Sequence, residues 1–462
     1  MSEKSKNKQS IYKPKPISGF PEWLPEERLV EQRWFDHIRK TFESYGFTSI
    51  ETPSVEEIDV LTAKGEVDKE IYEIQRLHKD EDDNGKEARL ALHFDQTVPF
   101  ARYTAQHFND LTFPFKRYQM QRVWRGERPQ MGRMREFYQC DIDIINVDNL
   151  PLAHDAEVAA VMYEVIEGLG IGKVQMRISN RKILHGYFES KGIHDPTLIN
   201  YLTRPIDKAD KFSLESIINI LTSQLQDELG LSEKVAEEYS LIVTGYMLIA
   251  EKKFTSTDSI LGHFDKHEEI LEINDLMKEG IEELQYVLDN LSHLPEGAVV
   301  ADLSIVRGLD YYTGTVYETQ LLEVPEFTGS VCSGGRYDNL ASGYINKKLP
   351  GVGISLGFSR LFDVMRQQRP DLLNIGAKCP TDILVYTEDK EVNPHETAQV
   401  LRKRGFNVEV FETVKKWDKH FKYAEKKGIP YIWYINQGGD EVKDIATNTK
   451  AAANPNEWSK DV

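Results

Sequence analysis

The chain has 462 residues, long enough for two to four domains rather than one core. Its 40% hydrophobic and 29% charged residues describe a soluble globular protein, and no apolar run approaches the roughly 20 residues that span a bilayer. A net charge of −18 argues against indiscriminate binding to nucleic acid, although a local basic surface can work within an acidic whole. Cys140, Cys332 and Cys379 lie far apart and form no C-x-x-C pair. That spacing disfavours a structural zinc site and suits a reducing compartment such as the cytoplasm.

Residues 1–16, within MSEKSKNKQSIYKPKPISGF, read as a mobile basic arm and resemble neither a secretory signal nor a transit peptide. From Glu26 to Tyr45, Val30, Trp34, Ile38, Phe42 and Tyr45 recur at helical spacing, and Gly46 stops the run. The pattern predicts a long amphipathic helix. A short strand, FTSIE, follows and is closed by Pro53. In LALHFDQTVPFARY, Asp95 and Thr97 end a strand just before Pro99 and a helical run. A carboxylate beside a hydroxyl there can grip an ammonium group or cap the helix.

Tyr118 to Val147 predicts two strands around an arginine-rich loop, RVWRGERPQMGRMREFYQCDID. The loop carries Arg125, Arg128, Arg133 and Arg135, with Pro129 and Gly132 opening the connection. Arginine suits phosphate because its planar fork gives two parallel charge-assisted hydrogen bonds; a solvated charged loop is the plainer reading. In the second strand, period-two alternation sets Gln139, Asp141 and Asp143 in a row on one face. That row either meets water or lines a cleft. Asp155 to Leu169 then predicts a helix ending at Gly170.

From about residue 175 to 294 helical patterns dominate, and strand signals return at Val299, which suggests a helical insertion in a mixed α+β domain. RGLDYYTGTVYE (307–318) alternates as a strand, with Tyr311, Thr313, Thr315 and Tyr317 on one face. Arg307 and Asp310 stand at its mouth, either as a structural ion pair or with Arg307 awaiting an anion. VCSGGRYDNL has Gly334 and Gly335 for close backbone approach, with no P-loop lysine. GVGISLGFSRLFDVM reads as a glycine-relaxed strand entering a helix near Gly357, with Arg360 in the first turn, an arrangement that favours polyphosphate. After Gly376–Pro380, DILVYT, a helix from His395 to Lys403, NVEVFE, a helix from Lys416 to Lys427, and YIWYIN predict a small α/β domain with a largely parallel sheet. Lys415, Lys416, Lys419, Lys422, Lys426 and Lys427 make a candidate basic surface there, or simply a solvated helix face.

Taken together, these segments resemble the histidyl-tRNA synthetase family of class II aminoacyl-tRNA synthetases, from about residue 17 to the end. RGLDYYTGTVYE and VCSGGRYDNL look like its two histidine signatures. WRGERPQMGRMREFYQ is similar to class II motif two, GVGISLGFSRL to motif three, and the 26–45 helix with Pro53 to motif one. The resemblance implies an antiparallel sheet flanked by helices (17–174 and 295–372), a helical insertion (175–294) and a C-terminal α/β anticodon-binding domain (378–462).

It also implies roles. Arg125 would contact the ATP α-phosphate and the histidine carboxylate, with Arg133 and Arg360 on the nucleotide phosphates. Asp95 and Thr97 would hold the α-amino group, and Gln139 would line the amino-acid site. Asp143 and Tyr312 would hydrogen-bond the imidazole, with Tyr311 beside them. Arg307 would stabilise the charge that develops as the carboxylate attacks phosphorus, where a preorganised cation is the needed catalyst. His93 and Gln96 stand where the family more often has arginine and an apolar or small residue. The implied activity is histidine–tRNA ligation: ATP, with Mg²⁺, and L-histidine give histidyl-adenylate, and the histidyl group passes to the 3′ end of tRNA(His). The expected protein is a cytoplasmic homodimer with no prosthetic group and no membrane association. A catalytically silent relative, the synthetase-like regulatory subunit of ATP phosphoribosyltransferase, is the alternative. Intact Arg125, Arg307 and Arg360 and the extra C-terminal domain argue against it.

Overall fold

A computed structural model describes residues 12–62, 71–77, 89–206, 213–267, 272–306, 311–411 and 418–460. Most of the expected basic arm lies outside the described residues, as do Arg307, Asp310, Lys415 and Lys416. The chain forms two compact units, one built from residues up to Pro21 and His37–Leu372, the other from Glu22–Asp36 and Leu373 onward.

Helix α1 (Pro25–Ser44) matches its periodic pattern, and Val30, Trp34, Ile38 and Phe42 are its buried stripe. Short strands β1 (Thr48–Ser49) and β2 (Val55–Glu57), helix α2 (Ile58–Thr62), β3 (Tyr72–Ile74) and β4 (Leu90–Leu92) lead to α3 (Thr97–Gln106). The long hairpin β5 (Phe115–Trp124) and β6 (Glu136–Ile145) encloses the arginine loop. Helix α4 (Ala153–Gly168) packs its valines under the sheet, and β7 (Val174–Asn180) follows.

The helical stretch comprises α5 (Arg181–Ser190), α6 (Pro196–Ile206), α7 (Leu214–Leu229), α8 (Glu233–Ala250), β8 (Lys253–Phe254), α9 (Ile260–Phe264) and α10 (Asp275–Asn290). Its ends carry ordinary helix punctuation. The Ser213 side chain caps α7, Gly230 closes it at φ +66°, and the Asn274 side chain caps α10. The start differs from the sequence expectation of helix from 175: β7 lies inside the main sheet, and the helices begin at Arg181. Its residues, VQMRISN, alternate too weakly to stand out from the helical patterns after them.

The chain then returns through β9 (Val299–Asp302), β10 (Tyr312–Leu321), β11 (Cys332–Tyr337), β12 (Gly351–Leu356) and α11 (Phe358–Gln368). Among the described residues, nine strands form one sheet in the order β1-β5-β6-β12-β11-β10-β7-β9-β8. Every pairing from β5 across to β7 is antiparallel. Strand β10 departs from simple alternation: Tyr312 pairs with Tyr337 but Val316 with Gly335, so a bulge of two extra residues intervenes. The bulge disrupts the expected common face from Tyr311 to Tyr317.

The second unit contains β13 (Ile383–Tyr386), α12 (Pro394–Lys403), β14 (Val408–Val410), α13 (Asp418–Lys427), β15 (Tyr431–Tyr434), β16 (Glu441–Asp444) and β17 (Lys450–Ala452). The sheet order is β14-β13-β15-β16-β17, with β13 parallel to both neighbours and the last two pairings antiparallel. Alternate residues of β13 feed two cores. Ile383 and Val385 pack with Ala398 and Leu401 of α12, while Leu384 and Tyr386 cluster with Ala424 of α13. A strand buried on both faces reads as a continuous apolar run, which is why DILVYT was visible. EVKD and KAA, the short last two strands of the sheet, were not.

Candidate active site

Strand β6 sets out the site. Its Cys140, Ile142 and Ile144 face the core, and the opposite face carries Gln139, Asp141 and Asp143. That second face is not wet: the three residues are 9%, 3% and 3% exposed. Across the hairpin, β5 sets Gln121 beside Gln139, Gln119 beside Asp141 and Arg117 beside Asp143. Two strands therefore present matching polar rows to a buried space.

The arginines gather at one end of this row. Arg125, Arg133 and Arg360 line a single cleft with Phe137, Gln139 and Ser355. Arg125 donates through Nε to the Phe94 carbonyl at 3.0 Å, and its guanidinium stands 5.2 Å from the Phe137 ring centroid. Arg360, in the first turn of α11, is fixed by bonds from Nε to Gly132 O and from Nη1 to Ser330 O, both 2.8 Å. Burial, then the neighbouring Arg125 and Arg133 charges, lower the Arg360 pKa. Arg133 is steadied by Glu127 at 3.0 Å. The other loop arginines differ: Arg135 bonds the Glu127 and Ser18 carbonyls, and Arg128 is exposed.

Carboxyl groups gather at the other end. Asp95 sits just before α3; its Oδ1 accepts from the Val98 amide at 3.2 Å, while Oδ2 is buried with no partner among the described residues. Capping thus occupies only one of its two oxygens. Burial pushes the Asp95 carboxyl up to about 6, against the pull of the Val98 amide, Arg125 and Arg117. Burial likewise pushes Asp141 up to about 7. Thr97 is the first residue of α3 and is half-buried. Gln139 donates through Nε2 to Ser355 Oγ at 2.7 Å, and its Oε1 has no partner among the described residues.

Asp143 is the most constrained carboxylate. Arg117 Nη2 lies 2.6 Å from its Oδ2, and Tyr337 Oη donates to its Oδ1 at 2.8 Å. Tyr337 reaches it from β11, across β12. A Cβ on Gly351 would overlap the Tyr337 ring, and one on Gly353 would overlap Asp143 itself. The GVG stretch is therefore glycine because this face of β12 must be bare. Tyr311 and Tyr312 cross at 4.8 Å and 70°, both phenols pushed up by burial. The Tyr311 hydroxyl is buried without a partner among the described residues.

Sequence reasoning missed Arg117 and Tyr337. For Arg117 the signal was present: in FKRYQMQRVW, Arg117, Gln119 and Gln121 alternate just as the following strand does. Arg336, adjacent in the glycine-rich signature, is committed to the fold. It pairs with the buried Asp155 at 2.7 Å and bonds the Leu150 carbonyl. The departures His93 and Gln96 are buried and tie the strand end to the hairpin. His93 Nε2 lies 2.7 Å from Arg122 O, and Gln96 Nε2 donates to Gln121 O and Gln139 O.

A family model described as histidyl-tRNA synthetase matches residues 19–361, and an anticodon binding domain model matches residues 383–449. The chain belongs to the histidyl-tRNA synthetase family. Within that family it is 48% identical over 458 residues to a histidine–tRNA ligase of Thermobifida fusca, covering 98% of this chain and 100% of that one. It is 42% identical to one of Micrococcus luteus, covering 96% and 95%. The crystal structure of histidyl-tRNA synthetase from Nostoc sp. PCC 7120 matches with a TM-score of 0.82 and 35% identity, over 96% of this chain and 97% of that one. A protein from Bacillus halodurans described as an ATP phosphoribosyltransferase regulatory subunit/histidyl-tRNA synthetase matches with a TM-score of 0.67 at 19% identity, over 92% of this chain and 99% of that one, a likeness of fold alone.

Proposed function

We propose that this member of the histidyl-tRNA synthetase family is a histidine–tRNA ligase. One observation carries the reading: a single buried strand face joins an arginine-lined cleft to a row of carboxylates ending at Asp143. A polyanion fits the first end and a cationic, hydrogen-bonding amino acid the second.

ATP enters as its magnesium complex. Arg125 holds the α-phosphate and the histidine carboxylate, with Arg133 and Arg360 on the remaining phosphates. The α-ammonium takes the partnerless Asp95 Oδ2, beside Thr97, and Gln139 lines the amino-acid side. Asp143 accepts from one ring nitrogen and the Tyr312 hydroxyl serves the other, with Tyr311 packed against it. A carboxylate oxygen attacks the α-phosphorus, the bond to the bridging oxygen breaks, and pyrophosphate leaves. A hydroxyl of the tRNA 3′ terminus then attacks the acyl carbon and AMP departs. Arg307, at the head of the first histidine signature, supplies the cation for the pentavalent phosphorus.

The catalytic domain takes in residues 17–174 and 295–372 together with β7, and the helical insertion runs from α5 to about 294. Residues 378–462 bind the anticodon of tRNA(His). The resemblance of α1 to motif one supports a homodimer. The three unpaired cysteines fit a cytoplasmic setting, and no helix among the described residues is long and apolar enough to cross a membrane. The test is ATP–pyrophosphate exchange followed by charging of tRNA. Both should require L-histidine; absence of any exchange would favour the silent regulatory relative, and exchange driven by proline or threonine would end the assignment.

A further inference from the structure

We propose that Arg117 is the positioning residue of the amino-acid pocket, fixing Asp143 as an oriented, ionised acceptor for the substrate side chain. The proposal rests on the function given above and adds to it a residue that does not itself touch substrate.

A fully buried arginine is costly unless paired, and Arg117 is 0% exposed in the middle of a sheet. Its guanidinium is held on several sides. Nη2 meets Asp143 Oδ2 at 2.6 Å, Nη1 donates to Gln119 Oε1 at 3.3 Å, and the Phe100 ring centroid lies 4.4 Å from Cζ. Gln119 is itself anchored, donating to Thr52 Oγ1 at 3.0 Å and to Gln121 Oε1 at 2.6 Å, and Gln121 donates to Thr52 O. The guanidinium is thus tied through Gln119 to Thr52, on the opposite side from its ion pair with Asp143, while its Nε has no hydrogen-bond partner among the described residues.

Charge matters as much as position. Asp143 is faced by Arg117 from β5, Tyr337 from β11, Tyr312 from β10 and Asp95 from the segment before α3, with Asp141 on its own strand and only Gly353 on β12. Burial raises the Asp143 carboxyl, while Arg117 is the largest influence opposing it. Of the three crowded buried carboxyls, Asp143 is the one that Arg117 touches. A neutral carboxyl accepts a ring N–H far more weakly than a carboxylate does.

The test compares the unaltered protein with Arg117→Met and Arg117→Lys in histidine-dependent ATP–pyrophosphate exchange from about pH 5.5 to 8.5. Arg117→Met should raise KM for histidine by about 10- to 100-fold, the scale of one charge-assisted hydrogen bond. KM for ATP should move less than about threefold. The loss of histidine affinity on acidification should begin at a higher pH than in the unaltered protein, since Asp143 without Arg117 protonates more readily. The titration of free histidine is common to all three proteins and cancels in the comparison. Arg117→Lys keeps the charge and should return the acid limb toward its original place, which also serves if Arg117→Met does not fold. Equal KM values and coincident pH profiles would overturn the proposal, as would a lysine variant whose acid limb shifts upward although it is folded. No exchange in the unaltered protein would instead overturn the ligase reading, and this role with it.

Discussion

Tyr337 and Asp143 are hydrogen-bonded at 2.8 Å although their strands, β11 and β6, are not neighbours in the sheet. The contact exists because β12 between them presents Gly351 and Gly353 on that face. Removing the donor with Tyr337→Phe leaves Oδ1 of a buried carboxylate short of one bond. KM for histidine should rise about tenfold with KM for ATP little changed, measured by pyrophosphate exchange. Equal effects on both substrates would mean that the tyrosine supports the fold and not the pocket.

Arg336 makes a contrasting case within the same signature. Its pair with Asp155 is buried on both sides, and Tyr317 Oη adds a bond to the Asp155 carbonyl. Arg336→Ala strands a carboxylate in the core and should destabilise the protein by about 3–5 kcal/mol, read as a fall in the urea midpoint. Replacing both partners together, Arg336→Met with Asp155→Leu, should recover much of the loss.

Asp141 makes no ion pair among the described residues, and burial, against the pull of Arg117, raises its carboxyl from 3.8 to about 7. The folded protein therefore holds this proton more tightly than the unfolded chain does. Stability falls as pH climbs from about 4 to 7, and the whole penalty is present above 7. Asp141→Asn removes that penalty. Its stability relative to the unaltered protein should improve between pH 5 and pH 8, by on the order of 2–4 kcal/mol over the full window. A difference independent of pH in denaturant titrations would contradict this.

Much of this arrangement was legible in the sequence because it follows period two. The polar row of β6 and the arginine loop were visible in one stretch, and helical spacing marked α1 and α4. What escaped were relations between distant residues. Nothing local says that Arg117 is opposite Asp143 rather than in water, since register depends on where the hairpin turns. The thinning of β12 is invisible until Tyr337 is seen lying across it, and the β10 bulge breaks an alternation that looks regular on paper. Arg336 reads like a phosphate ligand by type and is spoken for by a carboxylate 181 residues away.

In the second unit, Lys419, Lys422 and Lys426 are exposed at helical spacing on α13, whereas Lys427 is engaged by Glu409 at 2.8 Å and by the Tyr423 hydroxyl. The candidate basic face is thus narrower than the lysine count suggests. Changing the three exposed lysines to alanine should weaken tRNA binding and reduce the slope of log affinity against log salt by about two to three. An unchanged slope, measured by filter binding at several salt concentrations, would assign tRNA contact to another surface.

The most direct measurement of whether Asp143 and its tyrosine partners select the substrate uses histidine and its two ring N-methyl isomers in pyrophosphate exchange. Each methyl group removes a ring position that the pocket must hydrogen-bond, and sites built for such bonds reject analogues lacking them by about 10⁴-fold or more. The expected result is that both isomers fall by at least about 10³-fold in kcat/KM. Either isomer supporting exchange within about tenfold of histidine would contradict recognition through the imidazole nitrogens, and with it the role assigned to this end of the cleft.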